Sequence, residues 1–201
     1  MLKYQEIEHK YLVDAEFDLV AFEASARRLN PEKSSRLKVI DTYYVVEAMP
    51  NHVIRHRVDQ ELQQLTIKST GSDNECRTEV NLDLSLRTGN QADAVKAFLE
   101  PLRVLWSGTI EKNIFVFYFS NCEVVHYSAR SIEASGVEKA IHCVEFEAIK
   151  KVSREESLAT ISRFEASFGF QHAERCHHSL FELLFGSQLP DDVRKFMNAR
   201  R

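Results

Sequence analysis

Residues 6–10 read Glu6-Ile7-Glu8-His9-Lys10, and the way this stretch lies on a strand decides the fold. With the two-residue period of an extended chain, Glu6, Glu8 and Lys10 share one face, while Ile7, His9 and Tyr11 share the other. Two carboxylates and an ammonium in a row fit a solvated sheet face. They fit equally a wet, enclosed lining that holds metal ions and an anion together.

The same pattern recurs along the chain. In the stretch 53–59, Arg55 and Arg57 oppose Ile54, His56 and Val58, and in 65–69, Thr66 and Lys68 oppose Leu65 and Ile67. Arg77, Glu79, Asn81 and Asp83 oppose Val80, Leu82 and Leu84, and Glu145 and Glu147 oppose Val144, Phe146 and Ala148. Segments with apolar residues at helical spacing are available to cover the apolar side, so the charged side faces solvent or a wet barrel interior. The mixture is informative. Hard cations take carboxylate oxygens, and phosphate oxygens take Arg forks and Lys point charges. A lining with both suits a metal-bound polyphosphate.

The rest of the sequence is consistent with short antiparallel strands. Strands are expected in 37–46, 53–59, 62–69, 76–86, 109–120, 122–134 and 141–152, with turns at Pro50-Asn51-His52 and at 71–75. A helix is expected over 14–29 with Asp14 as N-cap, a second over 89–105 broken at Pro101, and a third from Arg154 to Phe168 ended by Gly169. Two short helical pieces follow near Leu180 and Val193. These elements predict an α+β, mainly β chain: an eight-stranded antiparallel β-barrel in consecutive hairpin order with flanking helices. Residues 1–186 are read as the barrel domain and 187–201 as a C-terminal helical tail.

Net charge of −4 and a pI near 6.1 argue against a generic basic nucleic-acid binder. Cys76, Cys122, Cys143 and Cys176 form no C-x-x-C pair, which fits reduced thiols better than a zinc site or disulfide framework. No apolar signal core opens the sequence and no run approaches the ~20 apolar residues of a membrane span, so a cytoplasmic protein without a membrane partner is expected. A homodimer is left open.

The ordered motifs carry a resemblance. Glu6-Ile7-Glu8-His9-Lys10 is similar to the E-x-E-x-K signature of the CYTH superfamily, the triphosphate tunnel metalloenzymes, and the stretches 53–57, 65–68, 77–81 and 144–147 resemble its later strands. Residues 179–185 resemble its closing helix. That family includes inorganic, thiamine and RNA triphosphatases and class IV adenylyl cyclases. The resemblance implies an eight-stranded tunnel that binds a triphosphate with Mg²⁺ or Mn²⁺. It implies Glu6, Glu8, Glu79, Glu145 and Glu147 as metal ligands, and Lys10, Arg55, Arg57, Lys68, Arg77 and Lys112 as phosphate ligands. This chain departs from the family pattern at Asn81, where a second glutamate is usual, at Ile114, where a basic residue is usual, and at His126, where an aspartate is common. Arg130, on the same strand parity as His126, is expected to restore a charge.

The implied chemistry is metal-dependent hydrolysis of a linear triphosphate, with inorganic tripolyphosphate as first substrate. Glu145, Glu147 and Lys10 are the expected catalytic residues. The two glutamates serve the water-activating ion, and Lys10 stays charged rather than acting as a base. A class IV-like cyclase, or a module that binds polyphosphate without turnover, are the competing readings.

Overall fold

In the computed structural model, which describes residues 4–70, 75–132, 140–150 and 153–198, eight antiparallel strands close into a barrel. They are β1 (Gln5–Val13), β2 (Lys33–Val46), β3 (His52–Val58), β4 (Gln63–Ser69), β5 (Cys76–Leu84), β6 (Val104–Tyr118), β7 (Cys122–Ser131) and β8 (Ile141–Ala148). The helices are α1 (Leu19–Arg28), α2 (Ala92–Leu99), α3 (Arg154–Phe168), α4 (Leu180–Phe185) and α5 (Asp191–Asn198). The turn expected at 71–75 lies mostly outside the described residues, as do the last three residues of the tail. No helix of the described residues is long and apolar enough to cross a membrane.

The strand order corrects the expectation of consecutive hairpins. Around the barrel it runs β1-β5-β4-β3-β2-β6-β7-β8. Two meanders, β2 to β5 and β6 to β8, join along the long β2–β6 pair, which runs from Lys33 opposite Tyr118 to Val46 opposite Val104. β1 fills the remaining gap. It meets β5 only at Gln5, Glu6 and Ile7, then follows β8 from Glu8 to Val13. Where β5 leaves it, two backbone bonds continue the edge: Glu8 N–H to the Glu75 carbonyl and Cys176 N–H to the Lys10 carbonyl. Closure joins both edges of the sheet, with β1 pairing along β5 only as far as Thr78 among the described residues.

Apolar side chains point outward, where helices cover them. Ile7 and Tyr11 of β1, Phe115 and Phe117 of β6, and Val144 and Phe146 of β8 pack with Phe22 and Ala26 of α1 and Ile161 of α3. His9 shares this face because Glu165 of α3 satisfies it: His9 Nδ1 lies 2.6 Å from a Glu165 oxygen to which the Tyr11 hydroxyl also donates at 2.5 Å. Val95 and Leu99 of α2 cover Tyr44, Val46 and Ile54. The cover is incomplete on β5, where Val80 and Leu82 are exposed.

The helix ends follow side-chain chemistry. Asp18, rather than Asp14, caps α1 by accepting from the Ala21 N–H, because Asp14 is held in a local turn by the Glu16 N–H. α2 stops at Leu99 and a 3₁₀ turn carries Pro101. Gly169 ends α3 with φ of +80°, a backbone state that glycine adopts without Cβ strain. Ser179 and Glu182 form a reciprocal capping box on α4. α4 and α5 then close one end of the barrel. Leu180, Phe181, Leu184, Leu189, Val193 and Met197 pack on Tyr43, Val45, Ile110 and Ala129. The segment set apart as a tail therefore supplies part of the barrel's end plug.

Phe146 is fully buried among the rings of Tyr11, Phe168 and Phe170, with centroids 5.5–5.9 Å away. Phe146→Ala leaves a cavity in that cluster, and a loss of about 3–5 kcal/mol of unfolding free energy is expected in denaturant titration.

Candidate functional site

The barrel interior is a narrow bore of about 190 Å³, lined by Glu6, Glu8, Arg55, Arg57, Lys68, Glu79, Lys112, Glu145 and Glu147 among others. The alternation read from residues 6–10 thus sends the charged face inward. Register brings distant residues together: Glu6 lies opposite Arg77, Glu8 opposite Glu147, and Lys10 opposite Glu145.

The buried charges are paired with one another. Glu6 accepts from Arg77 Nε and from Lys68 Nζ at 2.9 Å. Glu8 accepts from Arg77 at 2.9 Å and Lys10 at 3.3 Å, while Lys10 also lies 3.1 Å from Glu145. Lys68 reaches Glu79 at 2.5 Å, and Arg55 lies 3.7 Å from the same carboxylate. Asn81 joins this group by donating to Glu79 at 3.0 Å and accepting from Thr66, whose hydroxyl in turn receives Arg55 NH2 at 3.1 Å. The Nε of Arg55 is buried and has no hydrogen-bond partner among the described residues. An unmet buried donor of this kind is costly in the fold as it stands.

Sequence reading missed several members of the lining. Asp41 is fully buried and binds Arg57 through two bonds of 2.8 and 2.9 Å and Lys112 at 2.5 Å. Tyr43, Glu123 and Tyr127 also line the bore, and the Tyr127 hydroxyl donates to Glu145 at 2.7 Å. The signal available for Asp41 is its parity with Tyr43, which puts both on the inward face of β2. Glu123 opens a strand that otherwise presents Val125 and Tyr127 on the same face, so no run of charge marked it.

Lys10 and Arg77 stand behind Glu6, Glu8 and Glu145 rather than on the bore wall, Arg77 lining the neighbouring cavity instead, and one further expected ligand points away from the bore altogether. Arg130 lies on the outer face of β7, largely exposed, 3.4 Å from Glu111. His126 shares that outer face and stacks on Phe17 at 5.5 Å. The physical reason is the pleat: Val125 and Tyr127 take the inward positions, so His126 and Arg130, two and six residues beyond Val124, must point out. Ile114 does line the bore, leaving an apolar spot where the family pattern places a cation.

Charge pairing sets the ionisation of the site. Burial alone would raise Glu6 and Asp41. The cations outweigh it: Arg77 and Lys68 hold Glu6, and Arg57 and Lys112 hold Asp41, well below the usual carboxylate range. Glu145 is lowered, Lys10 chiefly offsetting the burial. Glu8 goes the other way. Burial first, then Glu145 and Glu6, raise it against the pull of Lys10 and Arg77. Lys10 is raised despite burial, by Glu8 and Glu145, and remains an ammonium. Lys112 is pushed down to about 8, by burial first and then by the nearby Arg57 guanidinium, because Asp41 is shared with that arginine.

The donor set fits a hard divalent cation in part. All the acidic groups offer oxygen, as Mg²⁺ and Mn²⁺ require, but no three His, Cys, Asp or Glu side chains among the described residues converge on one point. Since Mg²⁺ is typically held by one or two carboxylates plus substrate phosphates and water, the arrangement fits an ion that arrives with an anionic ligand. Cys176, His177 and His178 belong to no such group either.

No family model and no curated protein matches the chain. Solved structures do. The chain is similar to the PH1012 protein of Pyrococcus horikoshii at 16% identity and a TM-score of 0.65, covering 89% of this chain and 99% of that one. It is similar to a candidate adenylate cyclase of Bacillus halodurans at 16% identity and a TM-score of 0.57, with 90% and 99% covered. It is also similar to the RNA triphosphatase domain of the mimivirus mRNA capping enzyme at 12% identity and a TM-score of 0.54, with 84% and 90% covered. The tunnel fold implied by the CYTH resemblance is the fold of this chain.

Lys112 gives the site a pH signature. Its proton is held less tightly in the fold, at about 8, than in the unfolded chain near 10.5. The unfolded state therefore binds more protons across that window, and this term makes stability rise with pH. Relative to Lys112→Met, the wild type should gain on the order of 1 kcal/mol of stability from pH 8 to pH 9, measured by paired denaturant titrations. Parallel pH profiles for the two proteins would assign Lys112 an ordinary ammonium.

Proposed function

We propose that this chain is a CYTH-type tunnel enzyme that hydrolyses the terminal phosphoanhydride of a linear triphosphate with the help of Mg²⁺ or Mn²⁺. The observation that carries the reading is a closed bore in which buried Arg and Lys side chains alternate with carboxylates, with the Arg55 Nε donor unmet. Such a lining is balanced while empty. An extended triphosphate would take over the cations, and the carboxylates so released would need a metal.

In this reading Arg55, Arg57, Lys68, Arg77 and Lys112 hold the phosphate oxygens, fixing the chain of phosphates along the bore for in-line attack. Asp41 keeps Arg57 and Lys112 side by side and supplies no bond to the reaction. One or two of Glu8, Glu145 and Glu147, neighbours across the β1–β8 register, would hold the ion together with substrate phosphates and water, with Glu6 and Glu79 behind them. When bound, that ion supplies charge neutralisation to the phosphate oxygens and acidifies water. Lys10, kept cationic by Glu8 and Glu145, stabilises negative charge growing on the phosphoryl group. Water oxygen bonds to the terminal phosphorus, the bridging P–O bond breaks, and the water proton leaves with solvent or product. Arg130 has no part in it.

The likeness to the candidate cyclase keeps a second reaction in view, in which a ribose hydroxyl attacks the α-phosphorus of ATP. Incubation with Mg²⁺ or Mn²⁺ tests both. Phosphate release from tripolyphosphate or ATP supports hydrolysis, cyclic AMP with pyrophosphate supports the cyclase, and neither product with a raised melting temperature supports binding alone. Glu8→Gln should lower metal-dependent phosphate release at least a hundredfold per folded molecule, and should also lower the melting temperature because Lys10 and Arg77 lose a buried partner. Activity within threefold of wild type would remove Glu8 from the ion site.

A further inference from the structure

On the covered outer face of β1, a second polar cluster gathers around His9. Glu165 reaches it from α3, where it follows Ser157 and Ile161 at four-residue spacing and is buried with them. Arg175 reaches it from the segment that links α3 to α4. The Glu165 carboxylate stands 2.6 Å from His9 Nδ1, and an Arg175 amino group stands 3.0 Å from Nε2. A guanidinium has no acceptor, so Nε2 accepts from Arg175 and Nδ1 carries the proton given to Glu165. Both nitrogens of one ring are thus held, from two different elements.

The position of this ring gives the cluster a task. His9 stands between Glu8 and Lys10 on the strand and points the opposite way. Along this stretch β1 is paired with β8, but on its other edge the β5 ladder ends at Ile7. Beyond that point the edge is held by the Glu8 N–H bond to the Glu75 carbonyl, at 3.0 Å, and the Cys176 N–H bond to the Lys10 carbonyl, at 2.7 Å. Arg175 precedes Cys176 and pairs with the Glu75 side chain at 3.1 Å. One guanidinium therefore ties His9 to both residues that close this edge. A strand laddered fully along one side only is free to roll about its axis, and any roll at His9 turns Glu8 and Lys10 with it. Holding His9 at both nitrogens removes that freedom.

We propose that Arg175 is a positioning residue for the ion-holding face of β1, an inference that rests on the proposed reading of Glu8 as an ion ligand. With Glu165 as the fixed end, Arg175 grips His9 from outside and sets the direction in which Glu8, with Lys10 behind it, faces Glu145. Arg175 touches neither phosphate nor ion and acts through the strand. A misplacement of about 1 Å at a reacting centre can cost roughly a hundredfold in rate, so a strut behind the ion ligand bears on turnover. The groups read as holding phosphate stand elsewhere: Arg55 and Arg57 on β3, Lys68 on β4 and Lys112 on β6. Loss of Arg175 therefore loosens the ion and leaves the phosphates held.

The test follows phosphate release from tripolyphosphate as Mn²⁺ is titrated, with Mn²⁺ binding read by calorimetry and the folded fraction of each variant measured alongside. Arg175→Met should lower kcat and raise the Mn²⁺ half-saturation, each by about tenfold, with the KM for tripolyphosphate at saturating Mn²⁺ within about twofold of wild type. A guanidinium fork serves His9 and Glu75 together, whereas an ammonium serves the pair less well, so Arg175→Lys should fall between. Glu165→Gln keeps an oxygen for the His9 proton and should stay near wild type, while Glu165→Leu should resemble Arg175→Met. A loss in Arg175→Met that only tracks its folded fraction, with the Mn²⁺ half-saturation unmoved, overturns the inference, as does a rise in KM alone. Either result leaves the reading of the bore intact. If the wild type binds Mn²⁺ with tripolyphosphate but releases no phosphate, the same loss of Mn²⁺ affinity, read by calorimetry, decides the matter. A wild type that neither binds Mn²⁺ nor releases phosphate removes the reading of Glu8 as an ion ligand, and the inference with it.

Discussion

The structure depends on the pairing of buried charges inside a closed sheet. Glu6, Glu8, Asp41, Glu79 and Glu145 would each be costly to hold away from water alone. Each is answered by Lys10, Arg55, Arg57, Lys68, Arg77 or Lys112 from another strand. Removing one partner of such a pair strands the other, which typically costs several kcal/mol. The lining therefore behaves as one network and not as a set of independent contacts, and the strands that carry it are tied in register by its charges as well as by their backbone bonds.

Because the interior is given over to charge, the hydrophobic core has to lie elsewhere. It is divided among the helix-covered outer faces and the plugged end. Phe117 and Phe146, both fully buried, face α1 and α3 and not the barrel axis. This inversion reconciles a stable chain with an ionic centre. It also assigns separate tasks to the helices: α1, α2 and α3 supply stability, whereas α4 and α5 shape the space beside the bore.

Much of this was legible in the sequence, for a simple reason. A strand has a period of two, so a charged residue at every second place declares a polar face, and residues 6–10, 55–57 and 145–147 do so without ambiguity. Where the signal was mixed, reading failed. β7 presents Glu123, Val125, Tyr127 and Ala129 inward, a largely apolar set, and its outward Arg130 was expected to make good the departure at His126. Asp41 was passed over because a single acid between Ile40 and Thr42 has no pattern; only Arg57 and Lys112, from strands on either side, give it meaning. Strand order was not readable either. Local alternation says nothing about which strand lies beside which, and nothing near Gln5 announces that its neighbours are β5 and β8.

That placement of β1 bears on how the chain reaches its native state. β1 finds its main partner, β8, only after Ile141–Ala148 has been made. Until then the barrel is an open sheet whose ionic inner surface stays hydrated, and Gln5–Val13 waits unpaired. Contacts so distant in sequence slow folding, and closure becomes a late, all-or-none event in which water is squeezed from the charged groups as the last seam zips. A nascent chain cut short before β8 would lack not one strand but the enclosure itself.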